Sequence, residues 1–173
     1  MFFPSHFFFE MGLEILRQRL VIDNCYLGRN LQTHILNRLK EVIENDCTKE
    51  YGYIIKINKL LKIVDNYISN VNSELIFIVE FEAETIKPEI GNIYDDEIFL
   101  VLKGGIFFNV SNKFKVLVPP DALIEYTFDA DNKMYKNGEN KLAKGTKCQL
   151  SITGVRYVNK KFDCFAKIVS VLL

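Results

Sequence analysis

Tryptophan is absent from this 173-residue chain, and histidine (2), proline (4) and cysteine (4) are scarce. Cys25, Cys47, Cys148 and Cys164 form no C-x-x-C pair, and with only His6 and His34 to join them a structural zinc site is not expected. They read as reduced, mostly buried thiols and so as an intracellular protein. Net charge is also missing: 22 basic residues balance 22 acidic ones, so nothing global draws the chain to nucleic acid or an anionic membrane. No run approaches the ~20 apolar residues of a membrane span. The opening MFFPSHFFFE puts no Lys or Arg before its phenylalanines, so no export signal is expected. Nucleotide-cradling, zincin and nucleophile-elbow motifs are all lacking, which leaves no expected catalytic residue, metal or cofactor.

What is present is the material of a folded protein: 49% hydrophobic and 25% charged residues. From Asn30 to Glu44, Leu31, Ile35, Leu39, Val42 and Ile43 recur three and four apart, which predicts a helix with Asn30 as N-cap and Asn45 as stop. His34 lies off that stripe and reads as a solvated helix residue. The Phe-rich segment from Met1 to Phe9, broken by Pro4, suits an edge strand, and its Phe7 to Phe9 read as exposed apolar material. A polar turn at Cys47-Thr48-Lys49-Glu50 precedes a strand starting near Tyr51. Leu75, Phe77, Val79, Phe81 and Ala83 alternate with Glu80, Glu82 and Glu84 in a half-buried antiparallel strand. This is a small α+β unit.

Lys87-Pro88-Glu89-Ile90-Gly91 ends that pattern and marks a boundary, giving domains 1–86 and 87–173. Beyond it five apolar runs predict an all-β barrel of the OB type: Ile98 to Leu102, Ile106 to Val110, Phe114 to Val118, Cys148 to Val158 and Phe162 to Leu172, with a long excursion from Pro119 to Thr146. Asp95-Asp96-Glu97 lacks the spacing of a calcium loop and reads as a solvated acidic lead-in to the first strand. After Lys103-Gly104-Gly105, the adjacent Phe107 and Phe108 point to opposite faces, one inward and one outward, where a ring stacks on unpaired bases if cations lie near. The region from Lys133 to Lys167 carries 9 Lys or Arg against Glu139 and Asp163, a local positive excess.

These residues resemble a known pattern. Met1-Phe2-Phe3, Leu27-Gly28-x-Asn30-Leu31 and Cys47-Thr48-x-Glu50-Tyr51-Gly52-Tyr53-Ile54 resemble the tip domain of the larger stalk subunit of multisubunit DNA-directed RNA polymerases, the family of the seventh subunit of RNA polymerase II and its archaeal counterpart. Phe81-x-Ala83-x-x-Ile86-Lys87-Pro88-x-x-Gly91 resembles the crossing into its OB domain. Lys103-Gly104-Gly105-Ile106-Phe107 and Ser151-x-x-Gly154-x-Arg156 resemble its S1-type barrel. The resemblance covers nearly the whole chain. It implies a truncated RNP-like tip followed by an S1/OB barrel in a non-catalytic subunit. The tip docks on the polymerase core near the clamp, beside a small helical partner subunit, and the barrel touches nascent single-stranded RNA weakly. By resemblance, Thr48, Glu50, Tyr51, Gly52 and Tyr53 meet the core, and Phe107 stacks on RNA. Lys103, Lys160 and Lys161 supply the neighbouring charge.

This chain departs from the pattern in about nine additional residues before Gly28, and in Pro119-Pro120 where many S1 domains place a histidine. Lys outnumbers Arg 17 to 5 and Asn reaches 15, the mark of an A/T-rich genome. That fits a large DNA virus with its own polymerase, working in a viral factory in the host cytoplasm or in the virion, or else a cellular source and the nucleus. The alternative function is a free-standing S1/OB RNA-binding protein in translation or RNA decay, which has no use for the C-T-x-E-Y-G-Y turn. A third is an interaction module whose barrel binds protein.

Overall fold

Apolar residues at helical spacing after Asn30 decide which side of the first sheet is dry. The computed structural model describes residues 12–172, which divide into one compact unit ending at Lys87 and a second one that starts at Pro88. The edge strand expected over Met1 to Phe9, and the exposed phenylalanines within it, lie outside the described residues. The first unit contains β1 (Gly12–Ile22), α1 (Leu31–Ile43), β2 (Cys47–Thr48), β3 (Gly52–Ile68) and β4 (Leu75–Ile86). They make one antiparallel sheet in the order β1-β4-β3-β2. Ile35, Leu39 and Ile43 of α1 are buried against Leu16, Leu20, Phe77, Val79 and Phe81. Val42, counted with that stripe from its spacing, instead lies 46% exposed. The helix stops where Asn45 takes a left-handed φ of 72°, a conformation Asn tolerates after a C-cap. The Glu44 carboxylate then accepts the Ile57 N–H at 3.0 Å, tying the helix end to β3.

β3 follows a rule that period-2 reading does not see. Its inward residues Ile54, Ile57, Leu60 and Ile63 come every third position, yet they face Thr85, Ala83, Phe81 and Val79, which come every second. Four bulges absorb the difference by skipping Ile55, Asn58, Leu61 and Val64. The same step sets Lys56, Lys59 and Lys62 opposite Glu84, Glu82 and Glu80 on the wet face. Lys59 pairs with Glu82 at 3.3 Å and Lys62 with Glu80 at 3.0 Å, while Arg17 reaches Glu80 from β1 at 2.5 Å. Hydrogen bonds from Lys62 and Arg17 hold the Glu80 carboxyl below the usual range. Repeated bulges add twist, so the strand coils around the helix-covered face.

The second unit contains β5 (Ile93–Leu102), β6 (Gly105–Val110), β7 (Phe114–Val118), β8 (Thr127–Asp129), β9 (Met134–Asn137), β10 (Asn140–Leu142), β11 (Lys147–Val158) and β12 (Lys161–Leu172). The five long strands close a barrel, β11-β12-β7-β6-β5, with β12 parallel to β7. This is the OB outline expected from the apolar runs, and Phe108, Val116, Leu150 and Cys164 are among the buried inward residues. The excursion after Pro119 has structure that its polar sequence conceals, a three-stranded sheet β10-β9-β8. Tyr135 of β9 is buried, and its hydroxyl donates to the carbonyls of Lys103 at 2.9 Å and Leu102 at 3.2 Å.

Asp96 revises the reading of a solvated acidic lead-in. It shares the inward register of Tyr94 and Ile98, its Oδ1 accepts the Glu97 N–H at 2.8 Å, and its Oδ2 is buried without a hydrogen-bond partner among the described residues. Loss of hydration pushes its carboxyl pKa up, and backbone N–H groups of Glu97 and Asn109 offset this only in part. A carboxyl whose folded pKa lies above its unfolded value destabilises the fold in its charged form. The penalty is absent below about pH 4 and grows as pH rises through the folded pKa. Asp96→Asn should therefore raise the barrel's melting temperature at pH 7 and leave it unchanged near pH 4, as thermal denaturation at the two pH values will show.

Candidate functional site

Two surfaces carry the expected residues, one in each unit. In the first unit β2 pairs Cys47 with Tyr53 and Thr48 with Gly52, closing a tight hairpin over Lys49-Glu50-Tyr51. The Thr48 Oγ1 accepts the Tyr51 N–H at 3.1 Å, and Asp46 Oδ1 accepts the Cys47 N–H at 2.9 Å, so the turn is fixed from both sides. Gly52 has φ +77°, and a Cβ there would lie 2.3 Å from the Ile86 carbonyl oxygen and 2.7 Å from Lys87 Cα. Only glycine fits, because β4 passes directly behind it. Lys49 and Glu50 are exposed, and Thr48 is half-buried. Tyr51 is half-buried against the core edge, with its phenol pKa raised by the adjacent Glu50.

Tyr53, which the resemblance sets among the residues that meet the core, does not present its ring to solvent. It is only 6% exposed: it lies opposite Ile86 of β4, on the face away from Ile54 and the helix, and is covered there too. The surface this turn offers is Thr48, Lys49, Glu50 and one edge of Tyr51. Cys47 is buried behind it, and burial pushes its thiol up to about 11.

On the barrel, cross-strand register builds a row that no single segment shows. Leu100 of β5 lies opposite Phe107 of β6, Phe107 opposite Leu117 of β7, Leu117 beside Phe165 of β12, and Phe165 opposite Gly154 of β11. Phe108 is fully buried, so Phe107 is the outward member of the pair, as expected. Phe165 is 41% exposed, and its ring leans over Gly154, where a Cβ would lie 3.5 Å from the nearest ring carbon. Reading each segment by itself misses Phe165 and Leu117. For Phe165 the signal is present in Phe162-Asp163-Cys164-Phe165-Ala166, where 162, 164 and 166 take the inward register and leave Phe165 outside.

The three expected lysines do not form one cluster. Lys103 is exposed in the β5–β6 turn, two residues before Gly105, which has φ +128° and packs against the Val118 carbonyl. Lys160 and Lys161 are exposed in the β11–β12 hairpin, at the other end of the strands. The structure thus places positive charge on either side of the aromatic row, toward opposite ends of its strands. Between them Lys115 lies opposite Asp163 in the strand register, and Arg156 pairs with Asp163 at 3.0 Å. Asn159 and Lys160 both have positive φ, 51° and 58°. Lysine in that position stores strain that glycine would not.

His34 is not simply solvated. Its ring sits on Tyr26 with centroids 4.4 Å apart, in a groove of about 700 Å³ lined also by Asp23, Arg38, Glu41 and Glu74. Among the described residues no group of three or more His, Cys, Asp or Glu side chains is placed to hold a metal ion.

The sequence matches the family model described as the SHS2 domain found in the N terminus of Rpb7p/Rpc25p/MJ0397 over residues 22–73, a span holding α1, the Thr48 turn and the bulged strand. Over longer stretches the chain is similar to DNA-directed RNA polymerase II subunit RPB7 of Glycine max, 23% identical over 89% of each chain. It is 28% identical to subunit rpb7 of Schizosaccharomyces pombe, over 83% of this chain and 86% of that one. It is 24% identical to RNA polymerase II subunit 7 of Arabidopsis thaliana, over 82% of each. With an SHS2 match over residues 22–73 followed by a five-stranded barrel, the chain is similar along most of its length to the Rpb7-type subunits of DNA-directed RNA polymerases.

Proposed function

We propose that the protein is a non-catalytic stalk subunit that docks on its polymerase core near the clamp through the turn from Thr48 to Gly52. A small helical partner subunit sits beside it, and the outer face of its barrel touches nascent single-stranded RNA. It works wherever that polymerase works, in the nucleus of a cell or in the factory of a large DNA virus. The docking half is supported by the construction of the turn. Backbone bonds and a glycine-only contact hold it rigid, so its exposed polar residues lose little entropy on binding. Exposed Glu50 and half-buried Thr48 make direct probes. Glu50→Arg should weaken recovery of the protein with polymerase while leaving its stability within about 0.5 kcal/mol of wild type in a thermal melt.

The RNA half rests on one observation, the outward row of Leu100, Phe107, Leu117 and Phe165 with lysines on either side of it toward the strand ends. Aromatic rings supply stacking and lysines supply phosphate neutralisation. Lys160→Gly separates charge from stability. Removing left-handed strain should stabilise the β11–β12 hairpin by about 0.5–1 kcal/mol. Loss of one phosphate contact should lower the magnitude of the salt slope of single-stranded RNA binding by about 0.7. Anisotropy titrations at several salt concentrations, beside a thermal melt, will read both. A stabilised variant with an unchanged salt slope would remove Lys160 from the RNA path.

A further inference from the structure

A second row runs beside the aromatic one on the outer face of the barrel, two residues further along each strand. Asn109 of β6 lies opposite Lys115 of β7, Lys115 opposite Asp163 of β12, and Asp163 opposite Arg156 of β11. Asn109 is thus the same-face neighbour of Phe107, and Asp163 that of Phe165, each about 6.6 Å along its strand.

The two ring neighbours differ in what they offer a base. The Asn109 amide donates to Asn112 Oδ1 at 3.1 Å, and an amide can turn over to meet either a donor or an acceptor. It discriminates poorly. Asp163 Oδ2 accepts from Arg156 Nη2 at 3.0 Å, while its Oδ1 has no hydrogen-bond partner among the described residues. The Arg156 and Asp163 side chains are 68% and 54% exposed, so their pairing adds little to stability. Gly154, opposite Phe165, puts no side chain beside the ring.

A carboxylate only accepts, and ammonium and guanidinium groups only donate. Lys115, Asp163 and Arg156 therefore read donor, acceptor, donor across three adjacent strands. Among the RNA bases guanine alone carries two adjacent donors, N1–H and the 2-amino group, with an acceptor on either side, O6 and N3. Adenine and uracil set one donor between acceptors, and cytosine has one donor beside two acceptors. Each of these three turns an acceptor toward the second carboxylate oxygen. Reach agrees with chemistry: from the centre of a stacked base to a partner on its pairing edge is about 6 Å, hydrogen bond included, close to the step from Phe165 to Asp163.

We propose that the Phe165 position of the row selects guanine, with Asp163 accepting from N1–H and the 2-amino group and the flanking cations donating to its acceptors. This rests on the reading of the row as an RNA surface and names the residue that tells one base from another.

The test is fluorescence anisotropy with a nine-residue oligouridine and with the same strand carrying guanosine or inosine at its centre. The guanosine strand should bind about tenfold more tightly than oligouridine. Inosine lacks the 2-amino donor and should lose most of that gain. Asp163→Asn removes a negative charge, so it should strengthen binding of every strand at low salt, yet bring guanosine and uridine strands within about twofold of each other. Phe107→Ala should weaken both strands and keep their ratio, whereas Phe165→Ala should lose the ratio as well. Equal affinity for the guanosine and uridine strands in the wild type would overturn the proposal and leave the RNA reading standing. A guanosine preference that survives Asp163→Asn would overturn it too, since a carboxylate that merely repels phosphate changes both affinities alike. Absence of binding by any strand would overturn the RNA reading and the proposal together.

Discussion

Gly52→Val is expected to unfold the first unit at temperatures where the barrel stays folded. The variant must place a β-branched side chain at φ +77°, which costs roughly 1–2 kcal/mol in backbone strain alone. Its Cβ must also displace the Ile86 carbonyl and Lys87 Cα, now 2.3 and 2.7 Å from that position, and these are backbone atoms at the end of a strand in the centre of the sheet. A total of about 3–5 kcal/mol is expected, a large share of a small unit's stability. Cysteine labelling reads the two units separately. Cys47 is buried beside the turn, whereas Cys148 and Cys164 are buried in the barrel with their thiols pushed up to about 11 and about 12 by loss of hydration. In the variant Cys47 should react with an alkylating reagent under conditions where Cys148 and Cys164 remain protected, and exposed Cys25 should react in both proteins. Equal protection of Cys47 in variant and wild type would show that β4 can yield at Ile86, and would remove rigidity from the account of the turn.

Phe107 and Phe108 are neighbours in sequence and should differ most sharply in effect. Phe108 is fully buried, so Phe108→Ala should cost about 3–5 kcal/mol of barrel stability through lost burial and the cavity left behind. Phe107 is half-exposed on the outer face, so Phe107→Ala should cost less than about 1 kcal/mol of stability. The order reverses for single-stranded RNA. Phe107→Ala and Phe165→Ala should each weaken binding by about 1–3 kcal/mol, at low and high salt alike, because a stacked base is not a counterion effect. β6 and β12 both flank β7, which sets the two rings about 10 Å apart, too far to share one base. The double variant should therefore show nearly additive losses. Anisotropy titrations with a short unstructured RNA will check this. Unchanged RNA affinity in the double variant would mean that the row serves protein contact.

The barrel is legible in the sequence because long stretches of its strands alternate, with only a few bulges in β5, β11 and β12. Runs such as Phe114 to Val118 and Phe162 to Lys167 alternate in and out, and several turn positions with positive φ carry Gly or Asn, among them Gly105, Asn112 and Asn159. β1 is not legible. Leu13, Ile15, Leu16, Leu20, Val21 and Ile22 fit neither a clean helical nor a clean alternating pattern, since the structure leaves Leu13 and Ile15 in water. β3 reads as a strand but not as a three-residue repeat, because the repeat has meaning only against the two-residue repeat of β4. The same limit governs the sites. Phe107 follows from local alternation, whereas the row that gives it neighbours depends on register across four strands. Tyr53 misleads because a motif fixes which residues are present and not which way each one faces. Asp96 misleads because acidic residues at the start of a strand are usually solvated, and here the inward register takes one of them into the barrel wall.

The central claim is membership of a working polymerase, and native affinity purification of a tagged copy from its source tests it most directly, with quantitative mass spectrometry of the eluate. Wild-type protein should elute with the large core subunits of one DNA-directed RNA polymerase and one small additional subunit, in constant proportion across salt washes. Glu50→Arg should reduce the core subunits in that eluate. Recovery of the wild-type protein alone, or with ribosomal or RNA-decay components and no polymerase subunit, would contradict the account.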